Sequence, residues 1–296
     1  MKHDAFCKYH PAVNFIFFMG AMVFAVLIQH PAYLLAGFIC AGAYYLLLSG
    51  RRAVKTLLWL IPFFVLLTAV NPLFNTRGTH VLFHLFSRPY TLEALCYGAA
   101  TAGIFLVMML WFGCYNTVMT GDKFTALFGN LVPSLSLLLV MVLRLVPDML
   151  RKTKQISGSR RSIGKGAPPN ASFAQKLQEG MTVLATLVSL ALEGSLVTAD
   201  SMRSRGYGCS KRSSFILYRM NTGDWVLLFF QLILIGIIGC FLATGGATAE
   251  FTPVIHLAPV SGKGFCGLAA YCIYLLIPTI LHSKEVLVWH ISRSKI

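Results

Sequence analysis

Two short stretches of the chain carry side chains suited to chemistry with another molecule. One runs from Gln155 to Gly164 and contains Ser159, Arg160 and Arg161; the other runs from Ala199 to Gly208 and contains Arg203, Ser204, Arg205 and Gly206. Each is a helical run that ends in a small residue, then arginine, then a glycine able to take the positive φ of a helix C-cap. Arginine at a helix C-terminus is favoured by the helix dipole, and one such site alone reads as a charged cap facing solvent. Two on one chain point further. A guanidinium projected from a helix end by a small neighbour is suited to bidentate pairing with carboxylates in a partner's groove.

Other constellations carry less. The stretch Gly158 to Gly166 evokes a phosphate loop, but its spacing is one residue too long and Gly166 stands where a Ser or Thr would meet magnesium. His80 and His84 have the i, i+4 spacing of a helical metal pair, with no carboxylate or Cys close in sequence. The eight cysteines are scattered without a Cys-x-x-Cys pair, mostly inside apolar runs, and read as small core residues. The cluster Arg51, Arg52 and Lys55 could meet lipid phosphates, but serves first as a topology anchor. Pro62, Pro72 and Pro147 read as kinks or caps. No Ser/His/Asp, Cys/His or paired-carboxylate arrangement stands out, so the expectation is a non-enzymatic chain with no catalytic residues, cofactor or metal of its own.

The elements that must position the two arginine stretches follow from composition. Of 296 residues, 56% are hydrophobic and 12% charged, with a net charge of +15. A soluble domain carries about a quarter charged residues, which excludes an ordinary water-soluble enzyme. The apolar content also argues against nucleic acid as the target of the basic charge. Six runs are long enough to span a bilayer: 12–28, 31–49, 56–74, 91–119, 225–244 and 265–282. The first follows Lys2 and Lys8 like a signal peptide, but no small-residue cleavage site follows it, so it reads as an uncleaved span. Arg51, Arg52 and Lys55 place the loop after the second span in the cytoplasm. The N-terminus and, through Lys284, Arg293 and Lys295, the C-terminus then lie inside as well, on a multi-pass protein of the plasma membrane.

The segment between the fourth and fifth spans holds the excess charge. Residues 148–219 contain twelve basic residues against Asp148, Glu179, Glu193 and Asp200, which is +8 of the +15. Two apolar runs lie in or beside it. One is Pro133 to Pro147, bounded by prolines and carrying Arg144; the other is Met181 to Ala199, interrupted by Glu193-Gly194 and by Thr182, Thr186, Ser189 and Ser195. A single crossing by either would break the parity of the termini. They either cross together as a hairpin or lie as amphipathic helices at the cytoplasmic surface, and the second reading is preferred. Residues 120–128 read as a short interfacial helix. The expected organisation is an N-terminal membrane region 1–120, a cytoplasmic or interfacial coupling domain 121–222, and a C-terminal membrane region 223–296. The expected fold is an all-α integral membrane protein of about six transmembrane helices plus a coupling domain of long amphipathic helices. No repeat of fixed period is detectable.

These residues resemble a known family. Ala199 to Gly206 is similar to the Ala-x-x-x-x-Ala-Arg-Gly-type signature of the transmembrane T-component of energy-coupling factor (ECF) transporters, related to the cobalt and nickel uptake permeases. Ser204-Arg205-Gly206 stands where Ala-Arg-Gly is usual. Ser159-Arg160-Arg161 is similar in position, with either arginine a match for the family's. His10 to Phe15, Asn71 to Gly78, and Val132-Pro133 followed by Arg144 and Pro147 resemble, in order, the start of the family's first span, the exit of its third and its coupling region. The resemblance implies a subunit that joins two cytosolic ABC ATPases to a small substrate-binding membrane subunit within the lipid bilayer. The two arginine motifs would sit in grooves on the ATPases, supported by Ala199, Arg203, Arg144 and Pro147. ATP and magnesium would be bound by the ATPases, and the cargo would be a vitamin or a transition metal ion. The rival reading is a self-contained secondary transporter or channel. Such proteins place ionisable groups near the midplane, whereas the six runs hold only Glu93, close to an end.

Overall fold

Two helices open on the same tripeptide in the computed structural model, which describes residues 5–75, 80–85, 88–128, 133–166, 168, 171–209, 218–251, 256–257 and 262–293. Helix α1 (Pro11–Leu27) follows His10, and α2 (Pro31–Ser49) follows His30. In each, the histidine Nδ1 accepts from the backbone N–H two residues on, at 3.2 Å from Ala12 and 3.3 Å from Ala32. Proline takes the first helical position, where an absent N–H costs nothing, and the imidazole satisfies one of the orphan donors of the first turn. Gly50, at φ +56°, then turns the chain into α3 (Arg51–Phe74), which carries Pro62 and Pro72 internally.

A two-stranded antiparallel hairpin, β1 (Val81–Leu85) and β2 (Arg88–Thr91), leads into α4 (Leu92–Val118), where the Thr91 hydroxyl accepts from the Ala94 N–H. Short α5 (Gly121–Phe128) and the long α6 (Pro133–Ser162) and α7 (Phe173–Ser204) follow. Then come α8 (Thr222–Ala243), a second small hairpin of β3 (Ala249–Glu250) and β4 (His256–Leu257), and α9 (Gly262–Arg293). His80 precedes β1 and His84 lies within it, so the pair does not have the helical geometry that its spacing suggested.

The chain divides into two compact units, Met1–Lys123 with Tyr218–Ile296, and Phe124–Leu217. In the first, the core is aromatic. Phe17 packs edge-on against Trp111 with ring centroids 5.5 Å apart, and Tyr274 lies 5.2 Å from Phe17 while its hydroxyl donates to the Phe17 carbonyl at 2.9 Å. Glycine permits close contact between helices at Gly20 and at Gly98. A Cβ on Gly20 would run into the Tyr274 hydroxyl, and one on Gly98 would lie 2.8 Å from Asn71 Cβ and 2.9 Å from the Thr68 carbonyl. Close backbone approach at small residues is how helices associate in lipid, where apolar burial drives little.

Two groups of polar contacts mark the two ends of this unit. At one, Lys8 pairs with Glu285 of α9, Asp224 of α8 accepts from the His10 N–H at 3.1 Å, and Lys123 Nζ donates to the Cys7 carbonyl at 2.6 Å and to Val118 at the end of α4 at 3.1 Å. At the other, the Tyr33 hydroxyl donates to the Gly264 carbonyl at 3.2 Å, Tyr90 donates to Ala69, and buried Glu93 accepts twice from the His80 N–H. Six helices, α1 to α4, α8 and α9, therefore run alternately between the same two ends.

Among the described residues, six helices are both long and apolar enough to cross a membrane: α2, α3 from Ala53, α4, α7, α8 and α9 from Gly264 to Trp289. With strands confined to the two small hairpins among the described residues, the protein is an all-α integral membrane protein. This set of six differs from the sequence expectation by two members. The first expected span is α1, with 17 residues, at the short end of the range of about 17–25 for a crossing helix. Helix α7, expected at the surface, qualifies by length and hydropathy over Phe173–Ser204.

Pro147, which the sequence offers as a kink or a cap, does not cap a helix. The run from Pro133 continues through it to Ser162, with Pro147 exposed on the helix surface. Proline removes a single backbone donor there, and a 30-residue helix keeps the rest of its ladder. Val132, residues 76–78, Lys211, Arg212 and Lys295 lie outside the described residues.

Candidate functional site

Helices α6 and α7 belong to one unit, and their C-termini are built alike. Helix α6 ends at Ser162, whose hydroxyl donates to the Gly158 carbonyl four residues back at 3.2 Å. The chain then passes through Ile163 to Gly164 at φ +74°. The Lys165 N–H returns to the Arg160 carbonyl at 2.9 Å and the Gly164 N–H to the Arg161 carbonyl at 3.0 Å. Those two bonds define a Schellman cap, in which a left-handed residue lets the chain satisfy the last carbonyls. Only glycine adopts that conformation without strain.

Helix α7 ends at Ser204, whose hydroxyl donates to the Asp200 carbonyl at 2.8 Å. Arg205 follows, then Gly206 at φ +76°. The Tyr207 N–H bonds the Met202 carbonyl at 3.1 Å and the Gly206 N–H bonds the Arg203 carbonyl at 3.0 Å. The cap is the same, and it reveals a short repeat, Arg-Ser-x-Gly-x-Gly, at 161–166 and 203–208. In this register Arg161 matches Arg203, Ser162 matches Ser204, Gly164 matches Gly206, and Ile163 stands opposite Arg205. Reading the sequence by its arginines paired Arg160 or Arg161 with Arg205 and missed the repeat. Aligning the glycines would have found it.

The arginines differ in their surroundings. Arg160 is half-buried and forms a bidentate pair with Glu179 in the second turn of α7, Nε to Oε1 at 2.8 Å and Nη2 to Oε2 at 2.7 Å. Its Nη2 also reaches the Lys165 carbonyl at 3.4 Å. The hydrogen bonds from Arg160 hold the Glu179 carboxyl below its ordinary value, partial desolvation opposes them, and the charges of Arg160 and Arg161 add to the lowering. The same hydrogen bonds raise the Arg160 guanidinium above its ordinary value. Glu179 precedes the apolar run that begins at Met181. Sequence reading did not single it out, because it lies across a loop, 19 residues from Arg160.

Arg161, Arg203 and Arg205 are exposed, and among the described residues their guanidinium groups have no hydrogen-bond or ion-pair partner. Gly166 folds back on Arg161, since a Cβ there would lie 2.6 Å from Arg161 Cγ. Ser159, Ala199, Arg144 and Pro147 are exposed on their helices. The structure thus brings Arg160 to Arg161 and the α6 cap, and Ala199 to Arg203, Ser204, Arg205 and Gly206 on the last turns of α7. Arg144 and Pro147 stand farther back along α6.

Both helices carry large exposed apolar side chains. On α7, Leu177, Met181, Leu184, Val188, Leu192 and Leu196 recur at helical spacing. The hydroxyls that interrupt this helix in the sequence do not require water. Thr182, Thr186, Ser189 and Thr198 each donate to the carbonyl four residues back, and Ser195 to the carbonyl three back. Such back-bonding lets a polar side chain sit on an apolar face. The helix starts at a capping box in which Ser172 and Gln175 exchange hydrogen bonds.

Among the described residues, no group of three His, Cys, Asp or Glu side chains is positioned to hold a metal ion. An apolar groove of about 660 Å³ lies among α2, α3 and α4, with Leu34, Phe64, Gly103 and Phe251 on its walls. The chemistry that this unit offers is recognition: two helix ends presenting arginines, on helices with apolar sides.

The apolar helices define a multi-pass helical membrane protein, here one with paired basic helix ends. The family model for the CbiQ cobalt transport protein matches residues 6–215. The chain belongs to that cobalt transport protein family. No curated protein matches it.

Proposed function

We propose that the chain is the energy-coupling T-component of an ECF-type ABC importer, passing ATP-driven motion of two cytosolic ATPases to a substrate-binding membrane subunit. The observation that carries the reading is the doubled helix end, two identical caps that each expose arginine from one unit of the chain. An exposed guanidinium on a rigid cap is preorganised for a carboxylate-lined groove, and two equivalent ends suit two homologous ATPases. ATP and magnesium belong to those ATPases. The apolar sides of α6 and α7 supply the surface that moves against the substrate subunit or the bilayer. The six alternating helices of the first unit hold the chain in the plasma membrane, with Lys8, Lys123 and Glu285 at the cytoplasmic end. The cargo class is a transition metal ion, as the family description suggests, or a vitamin.

The test is co-expression of the full chain with the ABC ATPase subunits of its own source, followed by purification through a tag on the chain. Two ATPase subunits per chain are retained by the unaltered protein, and only one by an Arg203→Glu/Arg205→Glu variant that still inserts in the membrane. Equal retention by both proteins sinks the proposal. So does uptake of cobalt by vesicles that contain this chain alone, the result expected of a self-contained transporter.

A further inference from the structure

We infer that Arg161 is the partner-facing arginine of the first helix end, and that Arg160 is a positioning residue that clasps α6 to α7 through Glu179. The inference rests on the coupling reading and deepens it by dividing two adjacent arginines between two tasks.

Three observations carry it. First, Arg160 is already engaged: both of its bonds to Glu179 are short, and it holds the Lys165 carbonyl of the cap as well. To meet a partner's carboxylate it would have to leave a bidentate pair that is half-buried, with side-chain exposures of 24% and 18%. Such planar fork-to-fork pairing is the strong form of a charge-assisted hydrogen bond. Second, Arg161 is exposed and its guanidinium has no partner among the described residues. Third, the cap register makes Arg161 the counterpart of Arg203, with the following serine back-bonded in both and the left-handed glycine three residues on in both. A partner groove shaped for one end meets the same backbone and the same arginine at the other.

The two tasks are linked through geometry. The Arg160–Glu179 pair joins the last turn of α6 to the second turn of α7 and, through Lys165, the turn between them. It therefore fixes the direction in which the adjacent Arg161 projects. Arg161 in turn adds positive charge beside Glu179 and helps keep that carboxylate ionised.

The experiment uses the full chain co-expressed with the two ATPase subunits, and counts ATPase retained per chain in nucleotide-free detergent extract. Spin labels at exposed positions 154 and 176 report the separation of α6 and α7. Arg161→Glu is expected to lower retention from two ATPase subunits to one while the label distance stays unchanged. Arg160→Ala and Glu179→Ala are each expected to broaden the label distance. The exchange Arg160→Glu/Glu179→Arg is expected to restore both the distance and the retention.

The inference is overturned if Arg161→Glu retains both subunits, or if the exchange restores the label distance but still loses an ATPase, because Arg160 would then be the contact. An unaltered chain that retains no ATPase overturns the coupling reading and, with it, the role of Arg161. The label distances decide the clasp independently of that outcome.

Discussion

Asp224, in the first turn of α8, accepts a hydrogen bond from the His10 backbone N–H at 3.1 Å and, through its other oxygen, one from the Asn221 N–H at 2.9 Å. One buried carboxylate thus closes the start of α8 and ties it to the start of α1, more than two hundred residues earlier in the chain. An aspartate at a helix N-terminus is favoured by the dipole, and here it also fixes two parallel helix starts at the same membrane face. Asp224→Ala leaves both N–H groups without their acceptor, at a cost of roughly 1–3 kcal/mol for groups removed from water. Thermal unfolding in detergent should show a clear fall in midpoint. Lys8→Ala, which removes a mostly exposed partner of Glu285, should shift it little.

Labelling from the two sides of the membrane tests the topology. Thr248, exposed in the turn after α8, lies at the end of the bundle marked by Tyr33 and Gly264, while Lys165 is exposed in the α6 cap. In cysteine-free protein, Thr248→Cys should react with a membrane-impermeant maleimide on intact cells, and Lys165→Cys only after permeabilisation. A crossing hairpin of α6 and α7 would expose Lys165→Cys on intact cells. That single result would replace the interfacial placement of the two helices with a spanning one.

Two glycines of α7 should respond to alanine with opposite signs. Gly194 lies mid-helix with nothing within 4 Å of a built Cβ, whereas Gly206 sits at φ +76° in the cap. Gly194→Ala removes the entropic penalty of glycine in a helix and should stabilise by roughly 0.5–1 kcal/mol. Gly206→Ala forces a Cβ into the left-handed region, at about 1–2 kcal/mol. Amide exchange over 195–205 should slow in the first variant and quicken in the second.

Much of the helical framework is legible in the sequence because its causes are local. Apolar runs of spanning length appear as α2, α3, α4, α8 and α9, and the His-Pro pairs mark where α1 and α2 begin. What depends on distant partners is not legible. Nothing near Arg160 shows that Glu179 will return to it across a loop, so the sequence offers both arginines equally and the folded chain separates them. The passage of α6 through Pro147 is hidden for another reason, since a proline on an exposed face of a long helix loses one bond and keeps its neighbours. Helix α7 looks interrupted because its hydroxyls read as polar, yet they bond their own helix and leave the apolar side continuous.

The lowered Glu179 pKa sets a pH limit on the clasp, and its sign can be worked out. A carboxyl held below its unfolded value by a partner contributes stability above the ordinary carboxylate range, and loses it as pH falls through the folded value. The ordinary value is 4.5 and the folded value lies beneath it, owing first to the hydrogen bonds from Arg160. The α6–α7 contact should therefore be unchanged from neutral pH down to the ordinary carboxylate range and loosen only below it. Amide protection across residues 155–165 and 173–182 reads this directly. Protection in the unaltered protein should hold at pH 6 and decline below roughly pH 4. Glu179→Gln, which cannot ionise and accepts through a single oxygen, should show reduced protection already at pH 6 and little further change on acidification. High salt should weaken the unaltered contact in part, because the pair is partly exposed and open to screening. A protection profile that falls at neutral pH in the unaltered protein, or one that Glu179→Gln leaves unchanged, would show that the helices are held by something other than this pair.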